Sequence, residues 1–129
     1  MMTIWVAREK MERLMAEALV CGANEGLVMG SGTAGALLRA GGMKIQDECL
    51  GKGRHNIGDV VVTTAGDLDG TRHIFHAVTM TYNSDEFYAD ALIYEVVARS
   101  LQLAGERGLS SIVFQPISGG RAKFAIDVC

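Results

Sequence analysis

Basic charge, proline and paired cysteines are all scarce in this chain of 129 residues. The net charge of −3 argues against nucleic acid as the main partner, because phosphate backbones select for basic protein faces. A single proline and the absence of polar low-complexity stretches leave no place for a linker. We therefore expect one domain over residues 1–129.

Long hydrophobic runs are also missing. No apolar stretch approaches the length of a membrane span, and the opening MMTIWVAREK lacks the apolar core of a signal peptide. Cys21, Cys49 and Cys129 are odd in number and far apart, without a C-x-x-C pair. This pattern fits reduced thiols better than disulfides or a zinc site. We expect a cytoplasmic protein with no membrane partner, no metal and no cofactor.

Apolar periodicity predicts helices that alternate with buried strands. We expect helices over residues 8–17, 33–40, 44–52 and 86–108, and strands over residues 3–7, 18–23, 59–65, 73–80 and 110–117. The alternation indicates an α/β layer sandwich with a mixed, largely parallel sheet.

The segment GSGTAG, Gly30 to Gly35, is a literal G-x-G-x-x-G. The dinucleotide fingerprint needs its first glycine directly after a strand, and an acidic residue about 20 positions later at the end of the next strand. Here NEGLVM separates the predicted strand from Gly30, while Asp47 and Glu48 lie inside a helical pattern. The nicotinamide-type interpretation is therefore rejected.

The same loop still suits an anion. Gly30, Ser31 and Gly32 let a ligand approach the backbone, and they lead into a helix N-terminus that favours negative charge. A second loop, SGGR at 118–121, follows a buried strand at the sheet edge where ligands bind in open α/β sheets. Two such loops predict a grip on a diphosphate. The alternative left open is that both are simply glycine-rich turns.

Four segments follow one another in a familiar order: ALVCGANEGLVMGSGTAGALLRAGG, IGDVVVTTAGDL, RHIFHAV and GLSSIVFQPISGG. Together they cover roughly residues 17–125 and resemble the macro domain, the ADP-ribose-binding module. The resemblance implies a three-layer α/β/α fold. It also implies ADP-ribose, free or attached to protein, as the partner that carries the diphosphate.

The resemblance implies a role for each residue of the predicted site. Asn24 ends the stretch that reads D-A-I-V-N-A-A-N in the family and would contact the distal ribose, since a carboxamide both donates and accepts hydrogen bonds. The diphosphate and distal ribose would be held by Gly30, Ser31, Gly32, Thr33 and Ala34. The second phosphate loop would consist of Ser118, Gly119, Gly120, Arg121 and Ala122.

Three departures from the family pattern affect this prediction. The upstream G-D-I-T stretch, whose Asp recognises adenine, has no match, although Glu9 would serve after a one-residue shift. Lys123 stands beside the second loop, where the family has other residues, and would add a cation. The chain ends at Cys129, where members continue through another helix and strand. We expect a smaller or incomplete sheet whose exposed edge makes a homodimer a hypothesis.

The sequence favours binding over fast catalysis. Some macro domains hydrolyse ADP-ribosyl bonds or deacetylate O-acetyl-ADP-ribose, and one class uses an Asp where this chain has Ala34. The first Asn of the N-A-A-N stretch is Cys21, which lies mid-strand with no base close in sequence and is expected to be inert. The catalytic residues stay unknown. A slow hydrolase and a structural or interaction module without ligand remain as alternatives.

Other polar residues have structural explanations. His73 and His76 are three apart on a predicted strand, so they face opposite sides and cannot chelate one metal. We expect each to be solvated or hydrogen-bonded. Ser84 or Asp85 is expected to cap the long helix, and GDLDG at 66–70 to form a turn.

Overall fold

The computed structural model of the chain describes residues 9–30, 32–80, 89–115 and 117. Its elements alternate between strands and helices, as the periodicity predicts. In chain order they are a 3-10 turn at Met11–Arg13, β1 at Ala18–Asn24, α1 at Gly32–Gly41, α2 at Met43–Lys52, β2 at Val60–Thr64, β3 at His73–Met80, α3 at Ala89–Glu106 and β4 at Ile112–Phe114.

The four strands form one mixed sheet in the order β2-β3-β1-β4. β1 runs parallel to both of its neighbours, β3 and β4, whereas β2 pairs antiparallel with β3. The predicted mixed, largely parallel sheet is therefore confirmed. β1 is buried from Ala18 to Ala23, as a central strand covered on both faces should be.

Helices cover both faces of the sheet. Leu19 and Cys21 of β1 pack in one cluster with Leu37 of α1 and Ile45 of α2. The alternate residue, Val20, packs in a second cluster that contains Val96 of α3 together with Ala18. Because successive side chains of a strand point to opposite faces, this division makes three layers, α/β/α.

The helix predicted over residues 8–17 is wrong. Only Met11–Arg13 form a turn of 3-10 helix, and Leu14 is already extended with φ −88° and ψ 131°. Met11 is buried, but Met15 is 76% exposed, so their helical spacing does not mark one buried face. The chain has to extend here because Glu17 is tied to the neighbouring strand connection: its N–H donates to Ser111 Oγ at 2.9 Å.

Three further predictions fall partly or wholly outside the described residues. The strand expected over residues 3–7 lies outside them, as do Ser84 and Asp85, the candidate caps of the long helix. The predicted strand over 110–117 contains β4, which is only three residues long, Ile112–Phe114.

The turn predicted at residues 66–70 is present and supports the end of α1. The N–H of Asp67 donates to the Gly41 carbonyl at 2.8 Å. Gly66 has φ +57°, and a Cβ at this position would collide with the same carbonyl oxygen. Only glycine fits there without displacing α1 or the turn.

No helix in the described part of the chain is long and apolar enough to cross a membrane.

Candidate ligand-binding site

The first glycine loop leaves the sheet at the carboxyl end of its central strand. β1 ends at Asn24 with an irregularity in its pairing with β3 between Ala23 and Asn24. In the connection to α1, the side chains of residues 27–29 alternate between the core and the solvent. Leu27 and Met29 are buried, at 1% and 3% exposure, whereas Val28 is 50% exposed. The loop is therefore anchored to the core on both sides of Val28.

Two carboxamides hold the backbone of this loop. Asn24 donates from Nδ2 to the Val28 carbonyl at 2.9 Å and accepts the Val28 N–H at Oδ1 over 3.0 Å. Gln46, which is buried in α2, accepts the Met29 N–H at 2.8 Å and donates to the Leu27 carbonyl at 2.9 Å. The Leu27 N–H donates to the Asn24 carbonyl at 3.0 Å. Every backbone polar group from the N–H of Leu27 to the N–H of Met29 thus has a partner.

The glycine segment that follows opens directly into α1. Gly32 starts the helix with φ +62°, a conformation that favours glycine. A Cβ at Gly35 would lie 3.4 Å from the Gly30 carbonyl oxygen and 3.4 Å from Arg39 Nη1, so the loop and this guanidinium meet over Gly35. The first turn contains no acidic side chain. First-turn N–H groups have no acceptor within their helix, so this end of α1 is chemically suited to an anion.

Part of the predicted site is thus brought together by the structure. The described residues between the end of β1 and the first turn of α1 include Asn24, Gly30, Gly32, Thr33 and Ala34, and Gly30 and Gly32 are exposed. The remaining predicted phosphate-loop residues lie outside the described residues: Ser31, Ser118, Gly119, Gly120, Arg121 and Ala122, as does the neighbouring Lys123.

Glu9 is exposed and precedes the 3-10 turn at Met11–Arg13, and that turn packs against α1. Its carboxylate accepts the Lys10 N–H at 2.8 Å and lies 3.8 Å from the Arg13 guanidinium. Its role in adenine recognition stays a prediction.

Sequence reasoning missed Gln46. Helical spacing gives α2 a buried side that includes Ile45 and Cys49, and Gln46 lies beside them at 7% exposure while the apolar Leu50 is 58% exposed. A glutamine on the buried side of a helix must satisfy both ends of its amide. Its burial is a result of the structure, so the sequence pattern alone does not identify Gln46.

A buried imidazole lies next to Cys21, although the two are 55 residues apart in the chain. Cys21 Sγ lies 4.0 Å from His76 Nδ1, and Cys49 Sγ lies 3.6 Å from His76 Nε2. Thr63 Oγ1 lies 2.9 Å from the same Nε2. The fold thus places a base next to Cys21, although no base is close to Cys21 in the sequence.

Burial nevertheless keeps this cluster uncharged. It raises the pKa of the Cys21 thiol to about 12 and that of Cys49 to about 11, and it lowers the pKa of His76 to about 4. A neutral thiol beside a neutral imidazole is a poor nucleophile, which supports the prediction that Cys21 is inert.

The two histidines of β3 face opposite sides of the sheet, as predicted. Ile74 and Val78, which share the parity of His76, belong to the α1/α2 side, whereas Phe75 belongs to the α3 side. His73 Nδ1 lies 3.3 Å from the Thr63 carbonyl oxygen. Among the residues described, no three His, Cys, Asp or Glu side chains group in a way that could hold a metal.

Comparisons with a family model and with curated proteins agree on one family. The model of the Macro domain matches residues 20–129. A macro domain-containing protein of Streptomyces nogalater is 39% identical over 126 residues, which cover 93% of this chain and 68% of that protein. An O-acetyl-ADP-ribose deacetylase of Escherichia fergusonii is 32% identical over 121 residues, covering 91% of this chain and 68% of the relative.

Solved structures agree with the sequence matches. A macrodomain of Oceanobacillus iheyensis with MES bound superposes with a TM-score of 0.83 at 25% identity, over 93% of this chain and 67% of that one. A Trypanosoma brucei macrodomain in complex with ADP-ribose gives 0.80 at 25% identity, over 92% and 48%. The chain spans 63% of the length of a curated relative in Fusobacterium nucleatum and 68% of each of the two relatives from Streptomyces nogalater and Escherichia fergusonii.

Proposed function

The chain belongs to the macro domain family, and we propose that it binds ADP-ribose at the end of β1. The observation that carries this proposal is the loop that leaves β1 and opens into the N-terminus of α1 with no carboxylate in its first turn. The trypanosomal macrodomain of the same fold was solved in complex with ADP-ribose, and the one from Oceanobacillus iheyensis also with ADP. Both ligands carry the diphosphate that such a helix start attracts.

Each part of the ligand has candidate partners. The diphosphate lies over Gly30 to Ala34, where backbone N–H groups donate to it and the Arg39 guanidinium stands nearby. A carboxamide has two N–H donors and two acceptor lone pairs, so Asn24 keeps one of each for ribose hydroxyls after bonding Val28. Residues 118–122 of the second loop are further candidate partners of the phosphates. Glu9 accepts the adenine amino group.

Hydrolysis is the second candidate function, and it is favoured by the relative named O-acetyl-ADP-ribose deacetylase. The local chemistry makes it slow. Between Asn24 and Gly35 the chain has one carboxylate, Glu25, and its Oε2 pairs with Arg54 at 3.2 Å. Ala34 has no group that could take a proton from water. Turnover would then depend on positioning of substrate and water alone.

The first test is thermal unfolding with ADP-ribose, with AMP and NAD as controls. A ligand that binds only the folded protein stabilises it by about 2.7 kcal/mol at 100 times its Kd. Stabilisation by ADP-ribose but little by NAD supports the proposal. A cooperative transition that does not move supports instead the third hypothesis, a structural or interaction module without ligand.

A pair of variants at Gly30 locates the anion. Gly30 is exposed and a Cβ there meets nothing within 4 Å, so side chains fit without collision. Gly30→Asp places a carboxylate beside the phosphates, and a unit charge 4 Å away costs ~1 kcal/mol even in bulk water, roughly a fivefold loss of affinity. Gly30→Asn is the neutral control of the same shape. Equal Kd values for the two variants would show that the anion binds elsewhere.

Three finer aspects are also proposals. The ligand is either free or attached to protein, and a comparison of ADP-ribose with an ADP-ribosylated peptide in the same assay separates them. Cys21 and Cys49 are free thiols, in keeping with a cytoplasmic location. A homodimer remains a hypothesis that a sedimentation measurement would test.

A further inference from the structure

We propose that Gln46 is a positioning residue that holds the first glycine loop in the conformation that receives the ligand. The inference rests on the proposed function for its consequence in binding, but the conformation itself is independent of any ligand. Gln46 lies on α2 and reaches across to the loop with both ends of its amide. It does not belong to the loop or to α1, which the proposed function places against the phosphates.

The loop needs such support because its backbone is locally unfavourable. Leu27 has φ +58°, in the left-handed region that residues other than Gly, Asn and Asp rarely adopt. The Leu27 and Met29 side chains are both buried, so the polar backbone groups of this stretch lie close to the core. A buried N–H or carbonyl without a partner is costly, and the conformation persists only where the surroundings over-determine it.

Gln46 supplies the two bonds that Asn24 cannot. The Asn24 side chain is engaged with Val28 at both ends, which leaves the Leu27 carbonyl and the Met29 N–H to another group. These need a donor and an acceptor side by side, at 2.9 and 2.8 Å, and a single carboxamide has both. The two amides together bond three consecutive residues, Leu27 to Met29. Gly30 follows immediately.

The consequence is a pre-ordered phosphate loop. When the Met29 N–H is fixed, the position from which the chain enters Gly30 is fixed with it. Without Gln46 the loop samples other conformations, and the ligand binds only the fraction that is still competent. The apparent Kd then rises in inverse proportion to that fraction.

The experiment uses three variants of the full chain. Gln46→Met keeps the side-chain length and removes both hydrogen bonds. Gln46→Glu keeps an acceptor, and it regains the donor only when the carboxyl is protonated. Ile45→Val, at the neighbouring buried position of α2, lowers stability but removes no hydrogen bond to the loop, and it is the matched control. Kd for ADP-ribose is measured by calorimetry at pH 8 and pH 6, and exchange of the Met29 amide is followed by NMR without ligand.

The expected result is loss of affinity at constant fold. Gln46→Met should bind ADP-ribose about tenfold more weakly than wild type at both pH values, if the competent fraction falls to about a tenth. Gln46→Glu should be equally weak at pH 8, and because burial raises the pKa of a carboxyl, its affinity relative to wild type should be higher at pH 6 than at pH 8. Ile45→Val should bind as wild type does. In the free protein, Met29 amide exchange should speed up in Gln46→Met and not in Ile45→Val.

Failure of this inference is distinguishable from failure of the proposed function. If wild type does not bind ADP-ribose, the proposed function is wrong, and amide exchange still tests the two Gln46 hydrogen bonds. If wild type binds and Gln46→Met binds equally well, Gln46 is not a positioning residue. Unchanged Met29 exchange in Gln46→Met, or an equal loss of affinity in Ile45→Val, would overturn the inference as well.

Discussion

Ala34 is the residue that favours binding over catalysis in this site, because its side chain cannot accept a proton. It lies half-buried in the first turn of α1, on the segment proposed to hold the diphosphate and distal ribose. A methyl group leaves the site open to ligand and gives it no proton acceptor. A carboxylate at this position would supply the general base that the local chemistry lacks.

We therefore predict that Ala34→Asp increases hydrolysis of O-acetyl-ADP-ribose. A positioned general base contributes typically 10²-fold or more to such a step, so the variant should exceed wild type by about 10²-fold. Ala34→Asn is the control because it has the same shape without a base. Release of acetate is the measurement. If both variants are equally slow, a carboxylate at 34 does not reach the attacking water; a fast wild type would refute the binding-only interpretation.

At the scale of elements, the position of α1 depends on a glycine outside the ligand site. The 66–70 turn approaches the last residue of α1 so closely that Gly66 cannot carry a side chain, and Asp67 bonds the Gly41 carbonyl there. The opposite end of α1 begins at the proposed phosphate loop. The 66–70 turn thus fixes the end of α1 that lies opposite to the proposed phosphate loop.

Gly66→Ala should destabilise the protein more than Gly108→Ala. Both glycines have positive φ, +57° and +66°, so both variants bear the backbone strain of roughly 1–2 kcal/mol. Only at Gly66 does the new Cβ also collide with the Gly41 carbonyl, whereas at Gly108 nothing lies within 4 Å. Overpacking costs typically 1–3 kcal/mol more. Urea unfolding measures the difference; equal losses would mean that the turn moves away from α1 freely.

At the scale of the whole molecule, one imidazole joins four elements. His76 of β3 meets Cys21 of β1, Cys49 of α2 and Thr63 of β2. Burial lowers its pKa to about 4 against an ordinary value of 6.5. Between pH 6.5 and pH 4, His76 is therefore protonated in the unfolded chain but stays neutral in the folded protein. Stability should fall as the pH drops from 6.5 to 4 and level off below that.

The loss should be roughly 3 kcal/mol in total, since each pKa unit is worth about 1.4 kcal/mol. Urea unfolding at a series of pH values measures it. His76→Gln removes the titrating group and should flatten the curve between pH 6.5 and 4, whatever its own cost in packing. Hydrogen bonds donated by Ser110 lower the pKa of Glu17 from its usual 4.5. The stability that they contribute is therefore lost only when the pH falls below about 4.5. A wild-type slope no steeper than that of the variant would contradict the assignment to His76.

The sequence by itself determined the elements whose pattern is local. The run HIFHAVTM shows β-branched and aromatic residues over the length of a strand, and β3 spans those residues, His73–Met80. Helical periodicity and the Gly41-Gly42 stop likewise mark α1, which ends at Gly41. The glycine loop and its helix start were predictable because small residues and a helix N-terminus are themselves sequence features.

Only the tertiary structure decided which distant groups meet. The apolar spacing of residues 8–17 indicates a helix, but the tie between Glu17 and Ser111, 94 residues apart, draws the chain into the sheet instead. Gln46 reaches Met29 across 17 residues and His76 reaches Cys21 across 55. Periodicity records which face of an element is buried and carries no information about what lies opposite. The contacts that hold the loop and neutralise the cluster arise from packing between elements.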